Sequence, residues 1–289
     1  MLEVFIVAVA FIVLCVASYT DLKTHEVPDW ITYGLMFFAL AVRSMDAVLQ
    51  QSALPLVSGL LGFGAYVAIG YTMYYSGQWG GGDSKLLMGL GALIGIPWPV
   101  ESLPFLLNFF MNILVVGALY AMCWSIVLFW KHTSASLKVM RRERSKKPFM
   151  YTLIVALMIS ALCIVAIFLV DERVARLFLG ILAIVAALLP YLYLYIKAVE
   201  QAAMIKKVSP DVLTEGDWIA KEVVISGKKI CGPKDLGITK KQIAQLKKLF
   251  KQKKIKYVML KEGIPFVPSF LIAYVVTLAF GNLLLMALL

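Results

Sequence analysis

The stretch that decides the organisation of this chain is Gly80-Gly81-Gly82-Asp83-Ser84-Lys85-Leu86. Three consecutive glycines lead into one carboxylate and one lysine, and the sequence on both sides is mainly apolar. Asp83 alone could be the N-cap of a helix, where a carboxylate satisfies free N–H groups. The glycines need another explanation, because irregular backbone at membrane depth is tolerated only around a protein-lined or wet cavity. The stretch therefore predicts a functional site.

The composition is that of a membrane protein. The chain has 289 residues, of which 61% are hydrophobic and 16% charged, and its mean hydropathy is +0.85. A soluble domain carries about 25% charged residues, so any soluble part is modest. The four cysteines lie far apart and form no CxxC or Cys/His cluster. We therefore expect no zinc site, no disulfide framework and no cofactor.

Apolar segments long enough to cross a bilayer recur along the chain, since a transmembrane helix needs about 20 such residues. We predict an all-α polytopic membrane protein with about eight transmembrane helices, six or seven being possible, and a small α+β cytoplasmic insert. The predicted spans are residues 4–19, 30–49, 53–75, 85–96, 104–130, 149–170, 177–196 and 264–289. The first lacks the basic n-region and cleavage site of a signal peptide, so we interpret it as a retained span.

These spans divide the chain into five parts. We predict an N-terminal membrane core (1–130), a basic cytoplasmic loop (131–148), an additional helix pair (149–196), a basic α+β cytoplasmic domain (197–263) and a last transmembrane helix (264–289). In the α+β domain we predict a strand at 222–225, a turn at Ser226-Gly227, and a second strand at 256–260. Between them, Thr239 and Gln242 have capping-box spacing before a helix that runs to about Lys254.

The distribution of basic residues predicts the orientation. With the N-terminus outside, the inner segments 20–29, 76–85, 131–148 and 197–263 hold 25 of the 28 lysine and arginine residues. The net charge of +11 is thus concentrated on one side, where we expect contact with anionic lipid rather than with nucleic acid. Asp83 and a second acid, Asp21, then lie at the same cytoplasmic face.

Asp21 follows the first predicted span, where a lone acid would be an interface anchor. Paired with Asp83 it has another use, because two adjacent carboxylates share a proton and can act as general base and general acid. Other hydrolytic devices are missing: there is no Gly-x-Ser-Gly, and His25-Glu26 lacks the second histidine of a zinc protease helix. Asp29, which follows Pro28, is expected to cap the second helix.

Three blocks resemble the GxGD aspartic membrane peptidases, specifically the type IV prepilin and archaeal preflagellin leader peptidases. The first is Asp21 with the downstream Val27-Pro28-Asp29. The second is the glycine stretch, with Gly80 and Gly82 as the motif glycines, and the third is residues 261–268 with the sequence KEGIPFVP. GxGD alone is a weak signal. GxGD-x-K-L in a membrane chain with a correctly placed earlier aspartate is a strong one.

The resemblance implies a peptidase that removes short basic leaders from pilin-like or archaellin precursors at the cytoplasmic membrane face, usually after a glycine. It implies that Asp21 and Asp83 are the catalytic acids, without a metal or cofactor. We expect extended substrate backbone to lie against Gly80, Gly81 and Gly82. Further candidates for substrate binding are Lys85, Asp29, Glu26 and Glu262.

The chain departs from the bifunctional bacterial members, which carry paired CxxC motifs after their first span and also methylate the new N-terminus. Here only about ten residues separate the first two predicted spans and no CxxC exists, so methyltransferase activity is not expected. The late basic insert resembles the archaeal branch. The additional spans in 149–196 leave open whether archaellin or pilin precursors are the substrates.

Two alternatives use the same acids. A presenilin-like intramembrane protease would place them deeper in its helices and follow a different late motif. A proton- or cation-coupled transporter, or an assembly scaffold, belongs to another class. Transporters often have paired broken helices in repeated halves, and this sequence shows no convincing internal repeat.

Overall fold

The computed structural model describes residues 2–100, 102–225 and 227–288, and it is mainly helical. The helices are α1 Leu2–Thr24, α2 Asp29–Leu49, α3 Leu54–Tyr75, α4 Gly81–Ile94, α5 Phe105–Lys131, α6 Thr133–Arg144, α7 Lys147–Leu169, α8 Arg173–Val199, α9 Lys240–Lys251, α10 Val267–Phe280 and α11 Leu283–Leu288. The strands are β1 Ile205–Val208, β2 Trp218–Ile219, β3 Val223–Ile225, β4 Lys228–Cys231 and β5 Val258–Lys261.

Within these ranges, six helices are long and apolar enough to cross a membrane: α1, α2, α3, α5, α7 and α8 together with the π-helical turn that follows it. The chain is a multi-pass membrane protein, and the predicted fold class is confirmed. Two further helices, α4 and α10, have 14 residues each. At 1.5 Å per residue each extends only about 21 Å, less than the ~30 Å of a bilayer core.

Helix α4 is the centre of the membrane core. Its side chains Leu86, Leu87 and Leu90 are fully buried, and α2, α3 and α1 pack around it. Gly62 of α3 and Gly91 of α4 face each other so closely that a Cβ on either would overlap the carbonyl oxygen of the other. Small residues allow this approach of two backbones in a membrane. The contact fixes the short helix against α3.

Arg43 of α2 closes the end of α4 that is remote from the glycine stretch. Its guanidinium donates to the Leu93 carbonyl from Nη2 at 2.8 Å and from Nε at 3.1 Å, and it also donates to the Ile94 carbonyl. These carbonyls have no partner within the helix, and a cation is favoured at this end of the helix dipole. This end of α4 is therefore fixed by a polar group of a neighbouring helix.

Two predicted boundaries were wrong, and one predicted loop contains a helix. Helix α1 continues to Thr24, so Asp21 lies inside its last turn rather than beyond it. The predicted basic loop 131–148 contains helix α6. The predicted last span is broken at Gly281, which has a φ of +70°. The side-chain amide of Asn112 donates to the Gly281 carbonyl at 2.6 Å, so a neighbouring helix satisfies the polar group that the break leaves free.

The small insert, residues 205–261, is an α+β unit as predicted. Strands β1, β5 and β2 form an antiparallel sheet in that order, β3 and β4 form a hairpin, and α9 begins with the expected capping box of Thr239 and Gln242. Ser226 of the predicted turn lies outside the described residues. The insert contacts the helices at the end that carries Asp21 and Asp83: the Trp218 ring reaches within 3.4 Å of where a Cβ on Gly77 would stand.

Candidate active site

Asp21 is held in the last turn of α1 by the start of α10. Its side chain is only 4% exposed, and its Oδ2 accepts a hydrogen bond from the backbone N–H of Val267 at 2.9 Å. Val267 is the first residue of α10. The carboxylate thus lies at the N-terminus of a helix, where free N–H groups and the helix dipole both favour negative charge.

The local sequence explains why this N–H is available. The next residue, Pro268, has no N–H, and the N–H of Ser269 already bonds the Phe266 carbonyl at 3.0 Å. The N–H of Val267 therefore remains free within α10, and it donates to Asp21. This contact brings residues 261–268, the third block of the sequence resemblance, into the site.

Asp83 has a matching arrangement at the start of α4. It is the third residue of the helix, and its Oδ2 accepts from the backbone N–H of Gly80 at 3.1 Å. Gly80 itself occupies the N-cap position, so the expectation that Asp83 is the N-cap was wrong, although its carboxylate does satisfy a free N–H of the helix start. Asp83 is half-buried.

The turn between α1 and α2 brings the two acids together. Val27 in this turn packs on Gly82, and a Cβ on Gly82 would lie 3.1 Å from the Val27 Cβ. Asp21 lies in the last turn of α1, just before this turn, and Asp83 directly follows Gly82, so the contact holds the two acids on neighbouring segments. Each has Oδ2 bonded to a backbone N–H, and no protein hydrogen bond reaches either Oδ1 in the described structure. These two oxygens remain for chemistry.

The three glycines have different surroundings. Gly82 is covered by Val27, whose backbone oxygen and nitrogen would lie 3.3 and 3.4 Å from an added Cβ. Packing against Val27 therefore requires a glycine at position 82. A Cβ on Gly81 would make only an ordinary contact, 3.7 Å from the Tyr74 ring, and Gly80 supplies its N–H to Asp83.

The charged residues predicted to bind substrate already have partners within the chain. Lys85 pairs with Asp29 at 2.7 Å and lies 4.9 Å from the centre of the Tyr33 ring. Glu26 accepts from the Thr214 hydroxyl at 2.9 Å, and Glu262 pairs with Lys206. Asp29 was also expected to cap α2. That was wrong, because the N-cap is Pro28 and Asp29 is the first helical residue.

Aromatic side chains pack behind the glycine stretch. The ring of Trp79, which is 5% exposed, lies 5.2 Å from the Phe270 ring and 6.1 Å from the Phe266 ring. Phe266 in turn packs on Gly117 of α5. Sequence reasoning missed this contribution of α5, because Gly117 lies in an apolar span without a motif. Among the described residues, no three metal-ligating side chains come together.

Comparison with known proteins gives matches over the part of the chain that contains Asp21 and Asp83. The model of the type IV leader peptidase family matches residues 8–129, the segment that holds both aspartates. The preflagellin peptidase of Methanococcus voltae is 30% identical over 139 residues, which are 45% of this chain and 59% of that protein. The preflagellin peptidase of Methanocaldococcus jannaschii is 36% identical over 81 residues, covering 28% of this chain and 34% of that protein.

The chain thus spans less than two thirds of the length of these curated relatives. No solved structure gives a significant match. The matched segment runs from α1 into α5 and contains the paired carboxylates, the glycine stretch and the turn that joins them. On the family match and the relatives together, residues 8–129 of this chain are similar to the type IV leader peptidase family and to the preflagellin peptidases of archaea.

Proposed function

We propose that this protein is an aspartic endopeptidase that removes the short basic leader from archaellin precursors or related pilin-like precursors. The observation that carries the proposal is the pair of carboxylates, Asp21 and Asp83, each fixed through Oδ2 by a backbone N–H at a helix N-terminus. This arrangement leaves both Oδ1 atoms available and holds the carboxylates without other side chains. The names of the relatives support a preflagellin-type substrate.

The chemistry requires the pair to hold one proton, because two adjacent carboxylates do not both ionise easily. The ionised carboxylate takes a proton from water as the water oxygen bonds to the scissile carbonyl carbon. The protonated carboxylate gives its proton to the carbonyl oxygen. The result is a tetrahedral diol. In the second half of the reaction, the carboxyl that took the proton from water gives it to the leaving nitrogen. The other carboxylate takes a proton back from the diol, and the C–N bond breaks. The products are a carboxylic acid and an amine, and the pair returns to its starting state.

We further propose that the end of the bundle with Asp21 and Asp83 faces the cytoplasm, because the basic segments predicted to lie inside flank the site. The apolar stretch of the precursor would then lie in the membrane and its basic leader near the two acids. Backbone hydrogen bonds of the strand-addition kind could hold extended substrate against Gly80 and Gly81. The lysine-rich insert and helix α6 would contact anionic lipid.

The test is leader removal in membranes from cells that co-express the protein with tagged archaellin or pilin precursors, followed as a gel shift. Asp21→Asn and Asp83→Asn should each lower cleavage by about 10²–10⁴-fold or more, with unchanged protein level. Asp29→Asn is the matched control, because this acid lies near the site but pairs with Lys85, and it should retain cleavage. Full processing by either of the first two variants would exclude the catalytic pair.

A further inference from the structure

Tyr120 on α5 carries a buried hydroxyl that finds no hydrogen-bond partner among the described residues. Buried tyrosine hydroxyls usually have one, and an unmade bond lowers stability. The fully buried Tyr66 and Tyr274 follow the rule: their hydroxyls donate to the Leu106 carbonyl at 2.6 Å and to the Val7 carbonyl at 3.1 Å. Tyr120 departs from it.

Tyr120 lies on the Asp21 side of the site. One turn before it on α5 is Gly117, and the Phe266 ring packs so closely there that a Cβ on Gly117 would stand 2.6 Å from a ring carbon. Phe266 directly precedes Val267, whose N–H holds the Asp21 carboxylate. The packing of Phe266 on Gly117 therefore brings the part of α5 that carries Tyr120 to the start of α10, where Asp21 is held.

Three serine hydroxyls, on Ser18, Ser84 and Ser136, also lack a partner in the described structure. A serine on a helix can rotate its hydroxyl onto a carbonyl of the preceding turn of the same helix. Ser84, moreover, faces away from Asp21, since its Cβ lies 3.4 Å from where a Cβ on Gly70 of α3 would stand. The Tyr120 hydroxyl cannot bond a carbonyl of its own helix in this way, because the aromatic ring holds it too far from the backbone.

We propose that Tyr120 is a third catalytic residue, whose hydroxyl donates a hydrogen bond to the oxygen of the scissile carbonyl as the tetrahedral intermediate forms. The proposal rests on the proposed peptidase function. Tyr120 keeps its proton throughout, since water supplies the attacking oxygen and Asp21 and Asp83 move the protons. The hydroxyl stabilises the partial negative charge that builds up on the carbonyl oxygen before the protonated carboxylate has delivered its proton to it. A fixed donor with a buried hydroxyl is well suited to this task, because such a bond is stronger at low dielectric.

Tyr120→Phe tests the proposal, because it keeps the ring and removes only the hydroxyl. On the purified full chain in detergent, with a precursor peptide as substrate, we expect kcat to fall about 10²- to 10³-fold. KM should stay near the wild-type value, because the bond is made mainly in the transition state. The thermal midpoint should hold or rise, since the change removes an unsatisfied buried group.

Tyr274→Phe is the matched control. Its hydroxyl bonds the Val7 carbonyl, so its loss should lower the thermal midpoint by about 2–4 °C and leave kcat near wild type. A wild-type kcat in Tyr120→Phe would overturn the proposal, as would a kcat that falls in step with the thermal midpoint. Asp21→Asn separates the two claims. If it is inactive while Tyr120→Phe is fully active, only the role of Tyr120 fails; if it cleaves normally, the peptidase proposal fails.

Discussion

Replacement of Gly82 by alanine tests whether packing of the α1–α2 turn on α4 positions Asp83. An added Cβ would lie 3.1 Å from the Val27 Cβ, 3.3 Å from its oxygen and 3.4 Å from its nitrogen. Two of these three atoms belong to the backbone and cannot rotate away. The adjacent Gly81 offers a matched control, because an added Cβ there would lie 3.7 Å from its nearest neighbour, the Tyr74 ring.

The expected difference in the free energy of unfolding follows from two opposing contributions. Both glycines lie in the first turn of α4, and alanine is favoured over glycine in a helix by about 0.5–1 kcal/mol. Only Gly82→Ala adds overpacking, which costs about 1–3 kcal/mol. The free energy of unfolding should therefore be lower in Gly82→Ala than in Gly81→Ala by about 1–3 kcal/mol. A shift of about 1 Å in a reacting group can cost ~100-fold in rate, so a shift of a few tenths of an ångström at Asp83 should lower kcat several-fold.

The assay is thermal unfolding of each purified variant in detergent, together with initial rates of precursor cleavage. Gly81→Ala should match or exceed wild-type stability, and it is the control for stability alone, because Gly81 is proposed to lie against the substrate. Equal stability of the two variants, or a Gly82→Ala variant that is the more stable, would show that the contact with Val27 does not constrain α4.

Two further variants test the polar contacts outside the acid pair. The side chain of Glu143 is 4% exposed, and its pKa is lowered to about 2 by the hydrogen bond from Lys146 and by Lys197. Because a depressed folded pKa stabilises above the unfolded value of 4.5, Glu143→Gln should lower the free energy of unfolding at pH 7 by about 1–3 kcal/mol. In denaturant titrations this gap should close as the pH falls from about 5 toward 2, and a gap independent of pH would contradict the assignment. Lys85→Met should lower stability by at most about 1 kcal/mol, since the pair with Asp29 is partly exposed, and it should lower kcat only a few-fold; complete loss of cleavage would show that Lys85 acts on the substrate or the acids.

Hydropathy predicted the helical architecture well because burial in lipid requires apolar sequence over a fixed length. It could not predict the break at Gly281, because the partner that satisfies the free carbonyl, Asn112, comes from another helix more than 160 residues away in the chain. Helix α6 was missed for a related reason. Its basic composition is that of an exposed loop, and its one buried acid, Glu143, is neutralised by contacts with Lys146 and Lys197 that no local pattern reveals.

The two acids were predicted from the sequence because one of them, Asp83, lies beside three glycines in a membrane chain, which is chemically unusual. Their supports could not be predicted in the same way. The N–H of Val267 reaches Asp21 across 246 residues of sequence, and the hydroxyl of Tyr120 is distinguished only by its burial without a partner. The pairing of Asp29 with Lys85 is equally a property of the fold. Such contacts depend on helix packing, whereas a motif reports only residues that are close in sequence.

The measurement that tests the central claim most directly is the pH dependence of kcat/KM for precursor cleavage by the purified full chain, taken over the range in which the protein stays folded. If Asp21 and Asp83 share one proton, kcat/KM should rise and then fall with pH, and both limbs should belong to the pair rather than to either residue. Asp21→Asn and Asp83→Asn should then be inactive across the whole range. A rate that rises steadily into alkaline pH and persists in both variants would contradict the account.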